Sequence, residues 1–226
     1  MKTPLLLAGA LALTLTACEP AADAPADADT MTEVAVAEVP AGTYALDGLH
    51  SDMGFKVRHL GISNVDGTFR TAAGTITVPE EGLSGLSADV TIDATSIDTG
   101  NDDRDGHLRS PDFFDAANHP EITFQTTGIE TLGGERFRMT GDLTMRGVTK
   151  PVTLEGTFLG AAAMGETNKI GFEAEGEIDR QEWGLSWSET NEAGELLVAD
   201  AVQLVLSVEA DQQVVDAAAP DAETDA

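Results

Sequence analysis

Along most of the chain, apolar and polar residues alternate with a period of two, and helical spacing is almost absent. In 136–146 one face carries Phe137, Met139, Gly141, Leu143 and Met145, and the other carries Arg136, Arg138, Thr140, Asp142, Thr144 and Arg146. In 169–179 Ile170, Phe172, Ala174, Gly176 and Ile178 oppose a row of Lys169, Gly171 and acids. The same rhythm recurs in 53–59, 67–78, 88–95, 121–126, 152–158 and 202–208. It describes antiparallel strands with one wet face and one buried face. Turn residues separate the runs at Gly133-Gly134, at Gly147 and from Gly160 to Gly165. About eight such strands have no long helix to cover them, so the sheet must close on itself or fold into a sandwich. Short hairpins between successive strands favour closure, which makes the fold all-β.

One stretch breaks the alternation. Residues 96–120 are rich in Asp, Asn and Gly, and Asn101 or Asp102 can cap a short helix running to about Ser110. Pro111-Asp112 can start another turn. A further short turn is expected at Asp179–Gly184.

The inward face decides what a closed sheet can do. Ala88, Ala94, Gly141, Gly156, Ala174 and Gly176 all fall on it, beside large apolar residues. They delete side-chain volume from the middle of a barrel, or else they relieve curvature around a packed core. The pattern leaves both open. A hollow interior would be apolar and would suit an alkyl or prenyl chain, not a sugar or nucleotide.

Charge narrows the function further. The 226 residues carry 12 Lys+Arg against 40 Asp+Glu, a formal charge of −28. Nothing here neutralises a row of phosphates, which argues against nucleic acid as a partner. Residues 19–40 and 209–226 hold six acids each and no Lys or Arg, in Ala- and Asp-rich sequence that cannot bury a core. Residues 1–17 pair Lys2 with an apolar stretch from Leu5 to Leu15, as a secretory leader does. Leu15–Cys18 resembles a bacterial lipoprotein signal, which implies cleavage before Cys18 and acylation of its thiol. The expected organisation is a leader (1–17), an acylated Cys18 with an acidic tether (18–40), a barrel (41–209) and an acidic tail (210–226). The expected location is the bacterial periplasm, with the chain lipid-anchored to the inner or outer membrane. Cys18 is the only cysteine, which excludes a disulfide framework within one chain.

The fragments Tyr44–Asp47, His50-Ser51, Gly54–His59, Val65–Phe69, Ser96–Thr99, Arg104–Leu108, Ser110–Asp115, His119–Phe124, Gly141–Val152 and Ile178–Arg180, in this order and spacing, resemble the YceI-like family. The resemblance spans about 44–209. Trp183-Gly184 departs from it, standing where Phe-Gly is common, and the tether and tail lie outside it. It implies an eight-stranded antiparallel barrel similar to a lipocalin, with one or two short helices in 96–120, enclosing a long isoprenoid. It also allows a homodimer.

The expected lipid-facing residues are Phe55, Val57, His59, Phe69, Val90, Ile92, Phe124, Phe137, Leu143, Met145, Leu154, Phe172, Ile178 and Trp183. His59 shares a face with Phe55 and Val57, so it is expected at the cavity, with a hydrogen-bonded core histidine as the alternative. Arg104, His107 and Arg180 are candidates for the lipid's head group, and the acidic surface favours a neutral, quinone-like head. The four histidines lie on separate segments without HxH or HExxH spacing, so no metal is expected. Arg104 and Asp105 can pair to hold the long loop. No GxSxG elbow occurs, and no catalytic residue is assigned. The expected function is non-enzymatic binding, transport or sequestration of the lipid, with no cofactor beyond a bound isoprenoid or quinone. The alternatives are a stress-linked scaffold with a packed barrel and an enzyme acting on the bound lipid.

Overall fold

The computed structural model describes residues 38–214; the expected leader, Cys18, the expected tether up to 37 and the expected tail from 215 lie outside them. Alternation produces eleven strands: β1 (Gly42–Leu46), β2 (Asp52–His59), β3 (Ser63–Phe69), β4 (Ala72–Val78), β5 (Ser87–Asp93), β6 (Ile97–Asp98), β7 (Glu121–Gly133), β8 (Arg136–Met145), β9 (Val148–Met164), β10 (Thr167–Asp179) and β11 (Val198–Gln212). Three pairs are single staves broken in the middle. β4 pairs with β1 and β5, while β3 pairs with β2 and β6, so β1/β2, β3/β4 and β5/β6 each run as one stave. Eight antiparallel staves result, each hydrogen-bonded to the next in sequence.

β11 closes the ring. Its Val202–Ser207 stretch lies against Val57–Asp52 of β2, and its Ala210–Gln212 stretch lies against Leu46–Tyr44 of β1. Across the gap between β1 and β2, the Ser51 hydroxyl donates to the Glu209 carbonyl and accepts from the Glu209 N–H, at 3.1 and 3.0 Å. A side chain thus replaces a missing ladder partner.

Two apolar clusters stop the ends. At one end Tyr44, Val78, Leu83, Ile170 and Ala210 are fully buried, and the Tyr44 hydroxyl donates to the Pro40 carbonyl at 2.8 Å. At the other end Trp183, Leu185, Ala94 and Ala116 pack against Ile122, Leu143, Met145, Val152 and Ile178. The helix α1 (Asp102–Arg109) belongs to this second end, and the Asn101 side chain caps it by accepting from the Arg104 N–H at 2.9 Å. The 180–183 turn follows β10, as expected, and ends on Gly184 with φ 75°.

Three features differ from the sequence reading. First, the strands are longer: β9 runs on through Gly160 to Met164, because a bulge opposite Gly171/Phe172 absorbs the register shift. Second, β11 continues to Gln212 rather than giving way to the tail at 210, since Gln212 opposite Tyr44 also binds Asn168 and the Ala41 carbonyl. Third, the inward glycines leave no vacancy. The Phe124 ring lies over Gly141, Phe137 over Gly156 and Phe55 over Gly67; a Cβ at each glycine would come within 2.3 Å of the ring. Leu154 covers Gly176 in the same way. A bare Cα lets a neighbouring ring lie flat on the sheet wall.

A Gly156→Leu substitution therefore expels Phe137 from its seat instead of filling empty space. The expected cost is about 1–3 kcal/mol, a fall of roughly 2–10 °C in melting temperature followed by circular dichroism. An unchanged melting temperature would contradict the stacked arrangement.

Candidate functional site

Between the two end clusters a cavity of about 220 Å³ remains. Every one of the eight staves contributes to its wall, because each turns alternate residues inward. The wall is aliphatic and aromatic apart from the Arg180 side chain. Phe172 and Ile178, six residues apart on β10, both line it, which gives an extent of about 20 Å along the strand. The volume lies just under the ~300–1,000 Å³ range of small-molecule sites, which fits a narrow chain better than a broad ring system. Ala88 and Ala174 line the cavity whereas Gly141, Gly156 and Gly176 do not, so these alanines, rather than those glycines, keep it open.

Twelve of the fourteen side chains expected at the lipid face this space: Phe55, Val57, Phe69, Val90, Ile92, Phe124, Phe137, Leu143, Met145, Leu154, Phe172 and Ile178. His59 does not. It ends β2 opposite Ser63 and Val198, past a shift in the β2–β11 register, and sharing a face with Val57 does not bring it to the wall. Trp183 does not either. It is buried in the end cluster, and its Nε1 donates to the Leu143 carbonyl at 3.0 Å.

The head-group candidates are tied up to different degrees. Arg180 reaches the wall, but its guanidinium is buried and all five of its N–H groups are engaged. Nε donates to the Ala199 carbonyl at 3.0 Å, Nη1 to the carbonyls of Leu185 and Trp187, and Nη2 to Asp200 at 2.7 Å and the Val198 carbonyl at 3.4 Å. Burial pushes its pKa down, opposed by Asp200 and Asp179. Arg180 thus pins the 185–200 segment to the barrel and has no donor left for a ligand.

Arg104 and Asp105 do not pair with each other. Both grip Thr99: Arg104 donates to its hydroxyl at 2.7 Å and its carbonyl at 2.8 Å, and the buried Asp105 accepts from its N–H at 3.0 Å. His107 lies 2.9 Å from Asp112 and edge-on to Phe113 and Trp187, with ring centroids 5.1 and 5.3 Å away. Phe113 lines the cavity, so His107 stands one ring behind the wall. The wall also includes Leu108, Phe113, Phe114 and Leu185, which alternation does not reveal because they sit on the helix and loops. The adjacent aromatics Phe113-Phe114 in an otherwise polar loop were the available signal.

Asp47, His50 and Glu209 gather ligand atoms within 4.8 Å of one another outside the barrel wall. A cation already serves them: Lys169 Nζ lies 3.2 Å from Asp47, 2.7 Å from Glu209 and 2.7 Å from Asp211. This is a satisfied ion-pair cluster that ties β10 and β11 to the end of β1. His50 Nδ1, 2.8 Å from Asp47, holds the Asp47 carboxyl well below its ordinary range, helped by the Leu49 N–H and Lys169. The same contact raises the His50 pKa.

The YceI-like domain pattern matches residues 44–210. The chain belongs to the YceI-like family. Protein YceI of Escherichia coli is 39% identical over 176 residues, which is 76% of this chain and 88% of that protein. The YceI protein of Campylobacter jejuni superposes with a TM-score of 0.61 at 35% identity, covering 75% of this chain and 97% of that one. BcnA of Burkholderia cenocepacia gives 0.62 at 26% identity, covering 73% and 98%. A domain from Saccharophagus degradans described as polyisoprenoid binding shares the fold, with a TM-score of 0.54 at 19% identity over 75% and 98%. The YceI-like assignment and the closed eight-stranded barrel thus agree with the sequence reading.

The Asp47–His50 contact gives this YceI-like barrel a defined pH response. The His50 pKa is raised above its ordinary 6.5, so its contribution is complete below that pH and fades as pH rises through the folded value. The Asp47 pKa is lowered from 3.8, so its share is present above 3.8 and fades only as pH falls through the lower folded value. The imidazole is 63% exposed, so solvent screens the effect and it is small. Urea midpoints at about pH 5.5 and 8.5 should differ less in His50→Ala than in the parent. An equal difference in both would remove the pairing from the account.

Proposed function

We propose that this YceI-like barrel is a non-enzymatic periplasmic protein that binds and carries a long isoprenoid or related amphiphile with a neutral, quinone-like head. In this reading an acylated Cys18 holds it to the inner or outer membrane. The observation that carries the proposal is the continuous apolar lumen walled by all eight staves. The shared fold of the Saccharophagus degradans domain, itself described as polyisoprenoid binding, supports the same ligand class. A neutral head is favoured because Arg180 has spent its donors, Arg104 is held by Thr99, and the chain is strongly acidic.

Energetics suit a carrier. Burying hydrocarbon from water is worth about 0.8 kcal/mol per methylene, so a tail of a dozen carbons is held firmly against loss to water. A tail that leaves a bilayer gives up as much as it gains in the lumen. Net transfer is close to neutral, and loading reverses at a membrane.

Solvent extraction of the purified full chain followed by mass spectrometry tests this directly. The expected result is a neutral lipid with a prenyl or alkyl tail. Ala88→Leu combined with Ala174→Leu should fill the lumen and cut lipid content about tenfold or more, with cooperative melting retained. Undiminished lipid in a folded double variant would overturn the lumen as the site. A yield of mainly pyrophosphate lipids would overturn the neutral head.

A further inference from the structure

Two loop tips stand together at the α1 end of the barrel. The β2–β3 turn carries Ile62, 82% exposed, and the segment before β11 carries Leu196, 38% exposed. They are joined where the Leu60 N–H donates to the Leu197 carbonyl at 3.0 Å. Val198, the next residue, lines the lumen, and so does Val57, two residues before His59. The exposed apolar tips therefore stand directly beyond the lumen wall.

The turn is also costly in a telling way. Leu60 and Gly61 both have positive φ, 53° and 70°. Tight turns of this hand take Asn-Gly or Asp-Gly most readily, because a leucine Cβ crowds the backbone there. Folding alone favours Asn at position 60. What leucine adds is apolar surface on the same tip as Ile62.

We propose that the tips 60–62 and 196–197 form an apolar lip that docks the α1 end of the barrel onto a lipid bilayer of zwitterionic headgroups. This deepens the lipid-carrier reading, on which it rests, by naming where the lumen meets its source of lipid. A protein partner or a second copy fits poorly. A few aliphatic side chains offer roughly 300 Å², against about 800 Å² per partner in a stable interface. They are also convex, which suits insertion into a soft medium. Glu189, Glu192 and Glu195 lie on the same loop as Leu196, so anionic headgroups are repelled and zwitterionic ones are not.

Chain length permits the pose. The 23 residues from Cys18 to Pro40 span up to about 75 Å when extended. β11, at 15 residues, is about 50 Å long. A chain held at Cys18 that enters the barrel at the opposite end can still lay its α1 end on the membrane.

The test places an indole on the lip. Ile62→Trp, in the acylated chain reconstituted with phosphatidylcholine vesicles, should lose most of its added emission when the lipid chains are brominated. The parent chain, with its native Trp183 and Trp187, supplies the background to subtract. Replacing half the lipid with phosphatidylglycerol should weaken the quenching, and salt should restore it. Ile62→Asp should slow transfer of a labelled isoprenoid from the lumen to the vesicles about tenfold or more without lowering the melting temperature. An unquenched indole on vesicle-bound protein overturns the lip, as does a transfer rate unchanged by Ile62→Asp. A protein complex or dimer that Ile62→Asp dissolves, with no quenching, assigns the tips to another partner and also overturns it. Quenching in a chain whose lumen yields no lipid on extraction leaves the lip standing and removes the carrier reading instead.

Discussion

The closing strand determines everything inside this barrel. β11 meets β2 along its first half and β1 along its second, so one long strand completes a ring that two shorter ones begin. A closed ring has no edge to aggregate and no second layer to pack against. Its apolar face can only point inward, and whatever volume the side chains fail to fill becomes an enclosed lumen. Ser51 protects the closure at its weakest point, the break between β1 and β2, where it accepts from the Glu209 N–H and joins the Asp47 N–H at the Glu209 carbonyl.

Two kinds of small residue then divide the interior. Glycines at 67, 141 and 156 seat the rings of Phe55, Phe124 and Phe137 against the wall. Flattened rings bury large areas while occupying little of the lumen's radius. Alanines at 88 and 174 line the open space instead. Bulky clusters confine that space to the middle: Tyr44, Leu83 and Ile170 at one end, Trp183 and Leu185 at the other. Buried Arg180 fixes the second stopper by taking carbonyls from a segment with few ladder bonds of its own. Polarity near the lumen is thus consumed in holding the barrel's lid, and the lumen itself stays apolar.

Most of this wall was legible in the sequence because a strand's period of two assigns faces without ambiguity. Phe137, Leu143 and Met145 on β8, or Phe172 and Ile178 on β10, could be placed by counting alone. The reading failed where counting loses its meaning. His59 keeps the parity of Val57, yet the register against β11 shifts between the two and His59 is not on the wall. Trp183, Leu108 and Phe113 belong to turns and a helix, whose direction depends on tertiary contacts. The glycines were legible as small and inward, but whether a neighbour's ring fills the gap is a matter of cross-strand registry, such as Phe137 opposite Gly156. Arg180 read as a positive group free for a ligand, because nothing local announces that five acceptors converge on it.

The methionine methyls offer the most direct test of a lumen that holds a hydrocarbon tail. Met53, Met139 and Met145 all line the cavity, and Met139 and Met145 are six residues apart on β8. With methyl-labelled methionine in protein purified with its native lipid, isotope-filtered nuclear Overhauser spectra should show contacts from all three methyls to protons of one unlabelled hydrocarbon chain. Contacts confined to protein protons, with lipid present in the sample, would contradict a tail threaded through the barrel.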